Sequence, residues 1–485
     1  MHQKNVVIVE PGQFETDNHY YPRALNAQLH PMIKHFLSLG NDRIAERYCH
    51  LHPEVDRDAV IETLSSPIKY LRWSGADLFC VSNDRGNRKV VVIELNSCPS
   101  GQKSVPLDGE YDDQSGYRTL LERSLVPYLK KRTLPEGDVA VLYDKNHMEA
   151  SGYAATLADL QGKPVFLVPF HDKDPDPPAR FNDQGVLSIR KPDGAWQPIR
   201  AAMRYVTQKP WNRIPPITRT MIFNPILGCL AGGRNKMLAA KAYDFFNGKM
   251  RGTRLAVRTP ETIWDVPKSS VPLYVERLGG VAVVKNPYSN AGQGVWTIIN
   301  QEELDRFMAI EADYDRFIVQ SLIGNAKWSS RGAQETLYHV GTVPDKRNRI
   351  FVADLRFMVG SSEQGFFPVA IYARRAPSPL AGELGNDSST SWDMLGTNLS
   401  YKDGEGRWQT QTERLMLMDN RDFNKLGIGL DDLIESYLQT VMATRAIDEM
   451  ADSLVSTKGK FKFRFFRTVN PDDRLVDEIC RLPST

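Results

Sequence analysis

The sequence predicts a protein of mixed α/β and α+β class, and three observations predict it. Apolar runs of strand length alternate with segments of helical period along most of the chain. Two strand-like runs, 71–82 and 89–96, are joined by the turn NDRGNR, a hairpin signal that belongs to antiparallel sheet. A length of 485 residues is too great for one ordinary core, so several domains are expected.

The elements follow in order. NVVIVE (5–10) reads as a short apolar strand, 30–49 as helical, and 57–67 as a helix stopped by Pro67. After the hairpin come a strand at 138–145, a helix at 151–162 and a strand at 164–170, which together make a small α/β unit. The Pro- and Asp-rich stretch 171–185 reads as a loop. Residues 235–248 read as a helix closed by Gly248. Strand cores lie in 280–300 and 316–322, a strand pair in 352–360 and 366–377, and a long helix in 430–455. The basic, aromatic KGKFKFRFF (458–466) is read as a strand with alternating faces in preference to a nucleic-acid contact.

Composition excludes several classes. Lys and Arg number 61 against 59 Asp and Glu, a formal charge of +2, which does not point to nucleic acid or a membrane surface. Hydrophobic content of 41% and charged content of 25% are ordinary for a soluble globular chain. The first residues carry no apolar signal region, and no apolar run is long enough to span a bilayer. The five cysteines (Cys49, Cys80, Cys98, Cys229, Cys480) lack CxxC spacing. A reduced, cytoplasmic protein is therefore expected.

Two motifs carry chemistry. VVVIELNSCPSG (90–101) is a buried-type strand that ends in Glu94 and Asn96. Two residues apart on a strand, their side chains share a face and offer the hard oxygen ligands that Mg²⁺ prefers. VAVVKNPYSNAGQGVWTI (281–298) brings Lys285 to a strand end before a loop of small residues, whose N–H groups can close over phosphates. Neither a Walker A loop nor a dinucleotide fingerprint is present. Cys98 lies inside the first motif but reads as a small buried hydrophobe rather than a nucleophile. Ser97, Ser100 and Lys103, just after it, are candidates for holding a substrate carboxylate.

These motifs resemble those of the ATP-grasp carboxylate–amine ligases. VVKNPYSNAGQGV is similar to that family's lysine strand and glycine-rich lid, FIVQSLIG to its adenine hinge, and GGRNKMLAAK to the helix bearing a second phosphate lysine. DLRFMV, YARRA, GTNLS and ELNSCPSG resemble the arginine strands, the Asn-Leu stretch and the metal motif of its amino-acid ligase branch. The order departs from the usual one, because Glu94 and Asn96 precede Lys236 and Lys285. That order resembles the circularly permuted arrangement of eukaryotic glutathione synthetase and the glutathionylspermidine synthetase-like proteins, in which an aspartate, here Asp77, precedes the Glu-x-Asn pair.

The resemblance implies a permuted ATP-grasp core with a small α/β pre-ATP-grasp domain. It divides the chain into 1–130 (metal ligands), 131–225 (small domain), 226–330 (lysine helix, lid and hinge) and 331–485 (remaining core strands and C-terminal helix). It implies ATP and Mg²⁺ as cofactors, with Asp77, Glu94 and Asn96 on the metal. Lys236, Lys285, Ser289, Asn290, Gly292, Gln293, Gly294, Asn398 and the hinge Gln320, Ser321 and Leu322 would hold the nucleotide. Arg356, with Arg374 or Arg375, would stabilise the transferring phosphoryl group, and Asp354 is a candidate partner for Arg356. Because neighbours on a strand face opposite ways, one of Arg374 and Arg375 can enter the site. The implied activity is amide-bond formation between a small-molecule carboxylate and an amine, such as an amino acid or peptide, through an acyl phosphate. A non-catalytic ATP-binding scaffold or regulatory protein, and a small-molecule kinase, are the alternatives.

Overall fold

The computed structural model describes residues 5–109, 113–207, 211–289, 294–384, 391–402 and 408–480. Its secondary structure is mixed α/β, as expected, and the larger sheets number seven, six and four strands.

The six-stranded sheet is built around the hairpin Trp73–Asn83 and Arg88–Ser97. The Asn83 carboxamide accepts from the Arg85 and Asn87 amides, and Gly86 supplies the positive φ that the turn requires. On its other edge, Trp73–Asn83 pairs antiparallel with Ala353–Ser362, which pairs in turn with Gly365–Arg375. The hairpin thus joins strands from the distant 350–375 region, and the 138–170 unit belongs to another sheet. Alternation sets the two faces. Leu78, Leu355, Phe357, Ile371 and Ala373 are buried in one apolar cluster with Leu433, Tyr437 and Val441 of the helix Leu430–Ser453. Asp77, Glu94, Asp354, Arg356, Tyr372 and Arg374 line a cleft on the opposite face.

The seven-stranded sheet has a parallel centre of Asp138–Tyr143, Val165–Pro169, Trp196–Tyr205 and Met221–Phe223. The helix His147–Gln161 packs on it and ends at Gly162, whose φ of 63° allows its N–H to bond Ala158. Val7–Val9 forms the expected strand and joins this sheet. Two features differ from expectation. The supposed loop 171–185 contains the strand Ala179–Phe181. The central strand Trp196–Tyr205 escaped notice because Pro198, Arg200 and Arg204 interrupt its apolar pattern, yet Arg204 is fully buried and its guanidinium donates to the carbonyls of Asn224 and Val206.

The four-stranded sheet orders Thr262–Pro267, Arg316–Ser321, Ala282–Lys285 and Val295–Ile298. The helix Lys236–Met250 precedes it, capped by the Asn235 side chain on the Leu238 amide. It runs two residues past its expected end at Gly248. The segment 458–466 is not a strand. After a short turn closed by the Lys462 to Leu454 bond, it becomes the helix Phe463–Val469, anchored by buried Phe466 against Phe461. A strand needs a partner edge, and among the described residues the period-two alternation of Lys and Phe meets a single antiparallel bridge, Val455 with Phe461. Among the described residues, no helix is long and apolar enough to cross a membrane.

Candidate active site

The three sheets meet around a cleft of about 900 Å³. Its floor is a row written across four strands. Glu94 pairs in register with Asp77, Asp77 with Arg356, and Arg356 with Tyr372. One step along, on the same face, Asp354 pairs with Arg374. A bulge after Asp77 keeps this register while the hairpin continues.

Charges on this floor are tightly coupled. Arg356 grips Asp77 with two nitrogens, one of them at 2.8 Å, and Arg374 reaches the same carboxylate at 3.0 Å. Arg374 also grips Asp354, with its Nε at 3.0 Å, and Thr397 donates to Asp354 at 2.9 Å. Burial opposes ionisation of Asp77, but the two guanidiniums outweigh it and hold the carboxyl below its ordinary range. Arg356 therefore pairs with Asp77, and Asp354 belongs to Arg374. Of the neighbouring arginines, Arg374 lines the cleft, whereas Arg375 turns away onto the Phe351 ring at 4.6 Å.

Two lysines approach from the opposite wall. Lys236 donates to the Ser289 carbonyl and hydroxyl, both at 3.1 Å, and lies 3.8 Å from Glu94. Lys285 donates to the Gln320 carboxamide at 2.7 Å, and Gln320 donates onward to Thr262 at 2.8 Å. Burial lowers both ammonium groups, with Glu94 opposing, and Lys285 is pushed down to about 8. The Asn286 amide donates to the Gly294 carbonyl at 2.8 Å, at the neck of the expected lid. Gly294 has a φ of 67°, and a Cβ there would meet the Asn286 side chain at 2.6 Å. Asn290, Gly292 and Gln293 lie outside the described residues.

At the expected hinge, the Leu322 N–H donates to the Ser330 hydroxyl and its carbonyl accepts from the Ser330 amide. Ser321 donates its N–H to Glu261. Apolar walls at that end come from Phe79, Ile93, Val283, Val295, Leu322 and Ile323. Asn398 also lines the cleft, and its amide donates to the Ser400 carbonyl, a local turn.

The expected metal set fits in part. Glu94 and Asn96 share a strand face, and among the described residues the buried Asn96 Nδ2 has no hydrogen-bond partner. That pair offers the hard oxygens a divalent cation needs. Asp77 does not fit in this arrangement, because both its oxygens are spent on guanidinium. Among the described residues, no group of three or more His, Cys, Asp or Glu could hold a metal ion.

The residues after the metal motif separate. Ser97 is fully buried against Cys229 and Gly233, away from the cleft. Cys98 is buried, donates to the Arg204 carbonyl at 2.9 Å, and burial raises its thiol, which suits a core residue. Ser100 and Lys103 do line the cleft. Their loop is held by Glu149, from the first turn of the helix His147–Gln161. This fully buried carboxylate accepts from the Ser100 hydroxyl at 2.7 Å, the Gly101 amide at 2.6 Å and the Tyr205 hydroxyl. The Tyr372 hydroxyl donates to the Ser100 carbonyl at 2.8 Å from the other side.

Sequence reading missed the wall supplied by the seven-stranded sheet: Tyr143, Lys145, His147 and His171, with Arg234 beside the lysine helix. A signal existed. Lys145 follows a parallel strand, and ligands of open α/β sheets gather at the C-terminal strand ends.

No family model and no curated protein matches the chain. Among solved structures, it is similar to a glutathione synthetase-like effector from Globodera pallida, at 9% identity over 71% of this chain and 81% of that one, TM-score 0.37. It is similar to a RimK domain ATP-grasp protein from Sphaerobacter thermophilus, at 13% identity over 48% and 90%, TM-score 0.29. D-alanyl-alanine synthetase A from Vibrio cholerae gives 10% identity over 49% and 88%, TM-score 0.28.

Proposed function

We propose that the protein is an ATP-dependent carboxylate–amine ligase with an ATP-grasp core in permuted order. The observation that carries this reading is the row Glu94–Asp77–Arg356–Tyr372, in which residues from two distant stretches of the chain form one charged floor opposite Lys236 and Lys285. Phosphoryl transfer asks a protein for positioning and charge neutralisation more than for a nucleophile, and this cleft offers cations from two sides.

In this reading, a substrate carboxylate oxygen bonds to the γ-phosphorus of ATP and ADP leaves. The amine nitrogen then bonds to the acyl carbon, phosphate leaves, and the amine gives up a proton. Lys236 and Lys285 neutralise the phosphates. Arg356 and Arg374, held in place by Asp77 and Asp354, face the transferring group. The 286–294 lid excludes water that would hydrolyse the acyl phosphate. Glu94 and Asn96 would hold Mg²⁺, which supplies charge neutralisation to the phosphates when bound.

The test is to incubate the protein with ATP and Mg²⁺ alone, then with pooled carboxylic acids, then with acids and pooled amines, measuring ADP and phosphate. Phosphate release that requires both acid and amine is the expected result. A phosphorylated product without amine would make it a kinase, and silence throughout would leave a nucleotide-binding scaffold.

A further inference from the structure

In a strand, KGKFKFRFF would hide its phenylalanines on one face, but as a turn followed by the helix Phe463–Val469 it does not. Phe466 is buried, whereas Phe463 is 44% exposed and Phe465 37% exposed. A helical period sets Arg464 and Thr468 opposite Phe466, with Phe463 and Phe465 on the two flanks. Residues 458–467 hold five Lys and Arg and no Asp or Glu. Lys462 donates to the Ser453 carbonyl at 2.9 Å, and Arg467 pairs with Asp473 at 2.8 Å. Among the described residues, Lys458, Lys460 and Arg464 make no ion pair.

The surface continues onto the lysine helix. Lys241 of the helix Lys236–Met250 donates to the Val469 carbonyl at 2.6 Å and lies 4.5 Å from the centre of the Trp264 ring. Trp264 is 37% exposed, and Phe245, one helical turn beyond Lys241, is 61% exposed. Phe465 stands one turn before Val469 in its own helix. Exposed aromatic rings therefore lie on both sides of the contact between the two helices. Acids at its border are already met: Asp244 accepts from the Trp264 indole, Glu449 pairs with Lys249, Asp452 with Lys69 and Asp265 with Arg316.

Charge and apolarity together decide the partner. The whole chain carries a formal charge of only +2, so this excess is local. An anionic bilayer offers acidic headgroups to the free cations and, just beneath them, an apolar layer to the rings. A single-stranded nucleic acid also offers phosphates and stacking faces, but such strands are held along a basic groove. No residue of 456–469 lines the candidate active site or either of two smaller cavities. Among the described residues no helix can cross a membrane, so the contact lies on the bilayer rather than through it.

We propose that the turn and helix 456–469, together with Trp264 and Phe245, form a docking surface for an anionic lipid bilayer. This surface does not depend on the ligase reading.

The experiment is cosedimentation of the full-length protein with vesicles of phosphatidylcholine alone, and of phosphatidylcholine with about one-third phosphatidylserine, over a series of salt concentrations. Binding to the anionic vesicles alone, weakening as salt rises, is expected. Lys458→Gln, Lys460→Gln and Arg464→Gln together should weaken it roughly a hundredfold, since each charge near the surface contributes about fivefold. Phe245→Ser, Phe463→Ser and Phe465→Ser together should weaken it about tenfold while keeping the salt dependence. Melting temperatures show whether each variant is folded, and the salt series on the unaltered protein needs no variant. A parallel arm measures binding of a fluorescent oligoribonucleotide by anisotropy. Tighter binding to the RNA than to anionic vesicles would overturn the bilayer and make the surface a nucleic-acid contact. Equal binding to neutral and anionic vesicles, binding to neither, or folded variants of either kind that bind as the parent does would also overturn the proposal.

Discussion

At the scale of single residues, Asp77 and Glu94 sit side by side in register yet have different work. Asp77 is spent on two guanidiniums, and Glu94 faces Lys236 and the open cleft. Removing one partner of a buried pair leaves an uncompensated charge, so Asp77→Asn should destabilise the protein by about 3 kcal/mol without any ligand present. Glu94→Gln should leave the melting temperature nearly unchanged and abolish ADP release at saturating Mg²⁺. Chemical denaturation and ADP assays on the two variants check this contrast. Equal stability losses would remove the distinction, and wild-type turnover in Glu94→Gln would remove its metal role. Lys285 gives a pH prediction. In the free protein its ammonium titrates at about 8, and phosphates beside it would raise that value. Between the two values the complex binds more protons than the free protein. ATP binding should therefore take up a proton above pH 8 and weaken as pH rises further. Calorimetry in buffers of different ionisation enthalpy measures the uptake, and Lys285→Arg should abolish it.

At the scale of elements, the loop 98–104 is the joint between the hairpin and the seven-stranded sheet. Glu149 holds it from one side and Tyr372 from the other. Gly101 adopts a φ of 140°, and a Cβ there would lie 2.0 Å from the Tyr372 ring. Gly101→Ala should cost about 1–3 kcal/mol and displace Tyr372 from its place beside Arg356. Turnover should fall further than stability does, because the floor itself shifts. Thermal melts and kcat on the same preparation check it, and a variant with wild-type kcat would show that the loop does not position the floor.

Elements were also where the sequence was most and least legible. The hairpin, the lysine strand and the 353–375 pair were readable because apolar alternation and a polar turn coincide in each. The strand Trp196–Tyr205 was not, since its buried Arg204 is explained by the backbone carbonyls of Val206 and Asn224, which only the fold turns toward it. The 458–466 stretch misled for a related reason. Alternation predicts a strand, but a strand also needs an edge to pair with, and edges are tertiary facts.

At the scale of the whole molecule, the candidate site is assembled from widely separated stretches: Asp77 to Lys103, Lys145, Lys236 to Lys285, and Arg356 to Arg374. The individual motifs could be read one at a time. Their partnerships could not, because which arginine grips Asp77 depends on packing between distant segments. Lys145 was missed although it follows a parallel strand, because no motif around it marks that strand end as part of the cleft.

The central claim is that this assembled cleft activates a carboxylate by phosphorylating it. The most direct measurement uses an acid substrate, found by the product screen, with both carboxylate oxygens labelled as ¹⁸O, and reads the released phosphate by mass spectrometry. An acyl phosphate hands one carboxylate oxygen to phosphate when the amine displaces it, so the account predicts one ¹⁸O atom in each phosphate formed. Phosphate free of label, released in step with amide product, would contradict it.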